Sequence, residues 1–415
     1  MASTSTKPTN QHFSVDPEGN RVVDLTFTSE AIGMPASQGF GWPQFDFGQD
    51  IGPDDRYRIV RKLGWGMHSS IWLARDKGDD KFVAVKALTG HMTNMYDRGI
   101  TWEADALRLL SASPGPSPHC TQLLDEFTVL GRGSAGSHLC FVMPVCGGDV
   151  KLLQYSYKSR FPLPLAKRIA LHLLRGLAHA HERGVVHTDL KHDNIFIDTK
   201  MTTKGIEDWM AKDPSRRHPP EASHDGVLQA AVSQPLPMIS KEEAMQATYI
   251  LGDFGCGQPS RLHNNHTITT PPLRAPESFL GAKWDKPADI WSFGCLVYEL
   301  VSGRHFFRWK KNAKFGLTET ENVLYQMLLH TGEDFTPKLL SASQRAPEYF
   351  TLQCNLIKNP ALINWPISAR FEEIGIQPTE SQGVVALMER CLRLDPDDRS
   401  TAAELLNDPW FDGVQ

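Results

Sequence analysis

From Tyr57 the chain alternates apolar and polar residues in three short runs: Tyr57–Leu63, Ser70–Arg75 and Phe82–Lys86. Each has the period of two that marks a half-buried strand. Residues 96–112 switch to helical spacing, with Trp102, Ala106, Leu109 and Leu110 on one face. Two further apolar runs, Cys120–Val129 and His138–Val145, are joined by Gly131–Gly136. After Gly147–Asp149 the pattern turns helical and stays so. Leu165–Arg183 reads as a long amphipathic helix, with Gly184 where a left-handed C-cap is wanted. More helical segments follow from Ala288 to Phe411. The order predicts an α+β chain, a small strand-rich part ahead of a large helical one with a cleft between them.

Two stretches fall outside this pattern. Residues 1–50 are rich in Ser, Thr, Gly, Pro and Gln without sustained period. They predict a mostly disordered leader, with Phe40, Trp42 and Phe45 docking on the folded part. Residues 200–247 are polar and carry Pro214, Pro219, Pro220, Pro235 and Pro237. They predict an insertion with one short helix at Ile206–Lys212.

Composition narrows the class. With 40% hydrophobic and 22% charged residues in 415, the chain has ordinary globular make-up. A net charge of −5 argues against direct nucleic-acid binding. Seven cysteines without paired spacing read as free thiols of a reducing compartment. No apolar run is long enough to span a bilayer, and the N-terminus lacks the apolar region of a signal peptide. The expected location is cytoplasmic, nuclear or both.

The chemistry sits in four places. Leu63, Gly64, Trp65, Gly66, Met67, His68, Ser69, Ser70 and Ile71 give G-x-G-x-x-S and a β-branched residue between two predicted strands. Such a loop lets backbone fold closely over a triphosphate, with Ile71 covering a base; an ordinary Gly-rich turn is the alternative. No Gly-Lys-Ser/Thr follows, so it is not a Walker A loop. Gly131–Gly136 fits G-x-G-x-x-G better, but a strand follows it, which makes it a hairpin turn. Lys86 ends the apolar run Val83-Ala84-Val85. It is either a snorkelling edge residue or a phosphate ligand, which needs a carboxylate partner. Glu103 is the choice for that partner, ahead of the shorter Asp105.

Val185–Ile197 carries Asp189, Lys191 and Asn194 in a polar core between apolar flanks. A carboxylate can orient a hydroxyl nucleophile, a lysine can neutralise a transferring phosphoryl, and an asparagine can ligate Mg²⁺. Asp253, in Tyr249–Gly255, follows a short strand where it could bind the metal that bridges phosphates. Each site alone has an ordinary turn-residue reading. Their order together does not.

On these motifs the chain resembles the protein kinase superfamily from Tyr57 to Phe411. The resemblance implies a bilobal kinase domain over 51–415, with an N-lobe at 57–146 and a C-lobe at 147–411. It implies ATP and Mg²⁺, protein substrates with Ser or Thr, no membrane and a monomer. It makes Lys86 and Glu103 the phosphate-clamping pair, Asp189 the catalytic base, Lys191 a phosphate contact, and Asn194 with Asp253 the metal ligands. Ala84, the gatekeeper Met143 and the hinge Pro144–Cys146 would line the adenine. Leu273–Glu277 would end the activation segment, Glu277 would pair with Arg399, Asp289 would brace the catalytic loop, and Thr270 would touch Asp189 and Lys191.

A narrower resemblance is to the serine/arginine-rich protein kinases (SRPK-like). It rests on Lys62-Leu-Gly-Trp-Gly66, His187-Thr-Asp189, His138–Met143 and the insert segment Glu321–Tyr325 to Glu348–Phe350. It implies Arg/Ser-rich substrates of the mRNA-processing type. Thr188 stands where most kinases have an arginine that pairs with a phosphate, so activity is expected without activation-loop phosphorylation. Three departures stand out: Arg308–Lys314 is basic where that family is acidic, Pro271-Pro272-Leu273 lacks the family's aromatic residue, and the long spacer between lobes is missing. The rival readings are a pseudokinase scaffold, an RNA-associated interaction protein, and another proline- or arginine-directed Ser/Thr kinase. Cys146 and Cys256 are expected to be small buried hydrophobes, and His263 and His266 part of a mobile loop rather than a metal pair. Nothing marks Thr267, Thr269 or Thr270 as regulatory.

Overall fold

The computed structural model describes residues 12–15, 21–24, 30–157, 160–261, 268–363 and 365–414. His263, His266, Thr267 and most of residues 1–29 therefore lie outside the described residues. The chain divides into two compact units: residues 1–101, 123–146 and 200–237 form one, and 102–122, 147–199 and 238–415 the other.

The first unit is built on a six-stranded antiparallel sheet. Its strands run, in spatial order, Asp50–Ile51, Tyr57–Trp65, Ser69–Asp76, Lys81–Leu88, Ser137–Met143 and Asp125–Leu130. One face buries Ile59, Trp72, Val85, Cys140 and Val142, and Phe45 of the leader packs there as expected. Phe40 and Trp42 are buried as well, so the leader from Glu30 onward is a packed strap rather than a loose tail.

Residues 200–237 of the insertion belong to this unit too, and 238–247 to the second. The insertion's helix, Thr203–Lys212, buries Ile206 with Leu73 and Leu236, and a hairpin of Glu221–Ser223 and Gly226–Leu228 follows. The register of strand Tyr57–Trp65 slips twice against its neighbour, between Ile59 and Arg61 and between Lys62 and Gly64. Such irregularities re-aim side chains, and here two consecutive cations, Arg61 and Lys62, are wholly buried. An unpaired buried charge would cost several kcal/mol. The leader supplies Glu30 to Lys62. The insertion supplies to Arg61 the Asp213 carbonyl, the Ser215 hydroxyl at 3.2 Å and the Trp209 ring, 4.1 Å from the guanidinium.

One predicted element is corrected. Residues 96–112 do not form a single helix: Gly90–Asp97 ends and Glu103–Ser111 begins after a break. Gly99 has φ 69°, a left-handed conformation that stops a helix, and Thr89 Oγ1 caps the first helix by accepting from Met92 N.

The second unit is mostly helical. Leu163–Glu182 and Pro287–Ser302 supply much of its core. The first starts two residues before the predicted helix, and Gly184 adopts φ 74° beyond its end. Two small antiparallel ladders lie beside them. Ile195–Asp198 pairs with Thr248–Leu251, and Val185–Val186 with Gln258–Pro259. They fix both ends of the segment that carries Asp189 and both flanks of Asp253.

Candidate active site

Within the second unit, Asp189, Lys191 and Asn194 come together, while Lys86 belongs to the first unit. Lys191 Nζ lies 2.6 Å from Asp189 Oδ2. Asn194 Nδ2 donates to the Asp189 carbonyl at 2.8 Å and to its Oδ2 at 3.2 Å. Burial works against the charge of Lys191, yet the Asp189 hydrogen bond and charge hold its pKa above the ordinary lysine value.

The backbone under this cluster is held from below. Asp289, 1% exposed, accepts from His187 N at 2.7 Å and Thr188 N at 2.8 Å, and its Oδ2 lies 3.0 Å from His181 Nε2. His187 links the two functional segments: Nδ1 accepts from Asp189 N at 3.2 Å and Nε2 donates to the Gly252 carbonyl at 3.0 Å. Gly252 N donates to the Asn194 carbonyl at 3.0 Å. Asp253 itself is left-handed, with φ 56° and ψ 73°. Glu103 is buried, and its Oε2 lies 3.6 Å from where a Cβ on Gly255 would sit, with Asp253 Oδ1 at 3.2 Å. A side chain at Gly255 would crowd two carboxylates.

Thr188 has φ 64°, an outlying conformation for a β-branched residue. It is held by Asp289 and by its hydroxyl, which donates to the Cys256 carbonyl at 2.7 Å. Thr269 Oγ1 donates to the Thr188 carbonyl at 2.7 Å, whereas Thr270, the expected contact, is exposed. Thr269 adopts φ 63°, and neither threonine hydroxyl bonds Asp189 or Lys191 among the described residues. Cys256 is also corrected: the residue is exposed. Its thiol is nonetheless pushed up to about 11 by desolvation and then by the charges of Asp189 and Asp253, so it stays protonated near neutral pH. Cys146 is half-buried.

In the first unit, Gly66, Met67 and His68 form the turn between strands, closed by Gly66 N donating to the Ser69 carbonyl at 2.8 Å. A Cβ at Gly64 or Gly66 would meet nothing within 4 Å. Gly64 pairs with Ile71, and Trp65 with Ser70. Leu63 packs against the cluster of Leu73, Ile206 and Leu236, as do the insertion's Trp209 and Met210. Ser69 and Ser70 are buried. Ala84 and Lys86 lie on the central strand, opposite Met143 and Phe141, and Pro144 and Cys146 follow. Sequence reasoning missed the residue that pins this turn: Trp42 Nε1 donates to the Gly66 carbonyl at 3.2 Å. Buried Glu277 and Arg399 form the expected bidentate pair, at 2.8 and 2.7 Å.

A strand-rich unit with a Gly-rich turn, and a helical unit carrying Asp189, Lys191, Asn194 and Asp253, define a protein kinase. The protein kinase domain family matches residues 57–218 and 238–411, and the chain belongs to that family. Its similarity lies with SRPK-like kinases. It is 28% identical to the serine/threonine-protein kinase SRPK of Physarum polycephalum over 377 residues, covering 86% of each chain. Serine/threonine-protein kinase AFC1 of Arabidopsis thaliana is 27% identical, over 86% of this chain and 71% of that protein. Protein kinase dsk1 of Schizosaccharomyces pombe is 24% identical, over 98% and 90%. A crystal structure of a kinase domain superposes with a TM-score of 0.61 at 19% identity, covering 89% of this chain and 99% of that one.

Proposed function

We propose that this chain transfers the γ-phosphoryl group of ATP to serine or threonine hydroxyls of other proteins. The observation that carries this reading is the Asp189 carboxylate, held between the Lys191 ammonium and the Asn194 amide. Asp189 orients the substrate hydroxyl and accepts its proton, while Lys191 stabilises charge on the transferring phosphoryl. Asn194 and Asp253 offer the hard oxygen donors that Mg²⁺ takes. The open space around Gly64 and Gly66 suits a triphosphate, so the residues present fit MgATP. When bound, the metal neutralises phosphate charge. The backbone of Gly64–Ile71 with Lys86 and Glu103 would hold the phosphates, and Ala84, Met143 and Pro144–Cys146 the adenine.

The finer reading, Arg/Ser-rich protein substrates, rests on the likeness to SRPK-type kinases. The cations of Arg308–Lys314 work against it, because like charges repel an Arg-rich docking segment. A monomer of the cytoplasm or nucleus completes the proposal. A scaffold without catalysis would need a missing chemical residue, and every one is present.

The test is transfer from labelled ATP and Mg²⁺ to an Arg-Ser repeat peptide and to a generic basic protein, with Asp189→Ala as control. Turnover of roughly 1–100 per second, abolished in the control, is the expected result. ATP binding without transfer to any acceptor would favour the scaffold.

A further inference from the structure

The basic segment Arg308–Lys314 lies beside the end of the activation segment. Arg274 donates to the Thr269 carbonyl at 2.8 and 3.1 Å, and its guanidinium sits 5.1 Å from the Phe279 ring centroid. Phe279 stacks on Trp309, with centroids 5.9 Å and planes 18° apart. Contacts therefore run without a gap from Thr188, next to Asp189, through Thr269, Arg274 and Phe279 to Trp309. On either side of Trp309 the backbone is held by two buried amides of the helix Glu319–Thr331. Asn322 Nδ2 donates to the Lys310 carbonyl at 2.9 Å. Gln326 accepts from Arg308 N at 2.9 Å and donates to its carbonyl at 3.0 Å. The segment's side chains are thus presented from a fixed backbone.

Arg308, Lys310, Lys311 and Arg370, with His330 and Trp365, line a cavity of ≈ 320 Å³. Glu373 pairs with Arg370 at 2.8 Å and approaches Arg308 at 3.8 Å. Lys310 and Lys311 are exposed and form no ion pair with any described residue. Arg370 is 2% exposed; its terminal nitrogens bind Glu373 and the His305 and Phe306 carbonyls, while its Nε has no partner among the described residues. Burial drives the His330 imidazole down to about 4, so at pH 7 the positive charge comes from the arginines and lysines alone. Glu321, on the same helix as Asn322 and Gln326, is taken up by Lys358 at 2.7 Å and by capping Thr318.

We propose that this cavity docks a phosphorylated segment of the protein substrate, away from the acceptor residue. The inference rests on the phosphoryl-transfer reading above and names its substrate class. Four cations against one carboxylate leave a charge surplus that a phosphate relieves, and guanidinium groups match phosphate oxygens in bidentate fashion. Two of its lining residues, Arg308 and Lys310, flank Trp309, whose ring stacks on Phe279 beside Arg274, and that proximity to the activation segment ties the cavity to a substrate chain. The net charge of −5 sets it apart from a polyanion-binding tract.

The test uses the full chain and a fluorescent Gly-Ser peptide carrying four phosphoserines, with its unphosphorylated form and an Arg-rich counterpart as comparisons. Anisotropy should show binding of the phosphopeptide alone. Affinity should fall roughly tenfold in Lys310→Glu/Lys311→Glu and should weaken as ionic strength rises. In turnover, an acceptor peptide carrying this tail should show a lower KM than the tail-less acceptor in the wild type only, with the tail-less acceptor handled equally by both proteins. Equal binding by the double variant, preference for the Arg-rich peptide, displacement by an RNA homopolymer at equal charge, or inorganic phosphate binding as tightly as the peptide would each overturn the proposal. Phosphopeptide binding without transfer to any acceptor would retain the docking site and remove the kinase reading. Transfer to the tail-less acceptor with indifference to the tail would do the reverse.

Discussion

The Thr188 hydroxyl donates to the carbonyl of Cys256 at 2.7 Å, a neutral tie between the catalytic loop and the residue just past Gly255. The Thr269 hydroxyl adds a second tie, to the Thr188 carbonyl. No phosphate is needed to neutralise anything at this position. Protein treated with phosphatase should therefore keep its initial rate. Thr188→Val removes the hydroxyl but keeps the branch, and losing a bond of about 1 kcal/mol should lower kcat roughly fivefold. Dephosphorylated protein that stays inert until an upstream kinase is added would contradict this account.

Glu277 and Arg399 are fully buried against each other. Arg399→Met strands the carboxylate in the core, which should cost about 3–5 kcal/mol. Urea unfolding followed by tryptophan fluorescence measures the loss. Adding Glu277→Gln to that variant should recover part of it, since the orphaned charge is gone.

Trp42 reaches the Gly66 carbonyl from the leader, 24 residues away. Trp42→Phe keeps an aromatic ring and deletes the indole donor. The expected effect is a severalfold rise in KM for ATP with kcat little changed, read from initial rates at varied ATP. A KM equal to the wild type would show that the turn needs no such anchor.

His138 and His330 are both driven down to about 4 by burial, and their Nδ1 atoms lie 2.9 Å from the Leu88 carbonyl and 2.7 Å from the Trp365 carbonyl. Their folded pKa values lie below the unfolded one, so the unfolded chain takes up protons that the folded chain refuses. Their contribution to stability is complete above pH 6.5 and is lost as pH falls from there through 4, on the order of 3 kcal/mol for each. Urea midpoints at falling pH should trace that loss, and His138→Asn should flatten the slope of the first unit.

The catalytic cluster is legible because its chemistry demands particular residue types at short spacing: Asp189, Lys191 and Asn194 fall within a span of six positions, and Asp253 follows its own strand. The Glu277–Arg399 pair, 122 residues apart, was read only through family resemblance. What stayed hidden depends on partners distant in sequence and carrying no local pattern. Nothing near Lys62 announces Glu30, and nothing near Arg61 announces Trp209 and Asp213. Leader and insertion look like separate polar stretches because their apolar residues are too sparse to show a period. The Thr269 bond to the Thr188 carbonyl is equally illegible, because it depends on two left-handed residues, Thr188 and Thr269, that no local pattern announces.

The assignment of residues 200–237 to the first unit has a consequence for synthesis. On the ribosome, the sheet strands and the leader emerge early, but Arg61 has no Asp213 or Trp209 until half of the chain is made. Until then that strand carries a bare cation at a site meant to be dry. The first unit therefore cannot be completed until two pieces of the second, residues 102–122 and 147–199, have already been made, unlike domains that emerge one after another. The catalytic loop, at 189–194, leaves the ribosome before the unit that precedes it in the chain is complete. Long-range closure of this kind slows folding, and it makes the insertion a checkpoint in the birth of the enzyme.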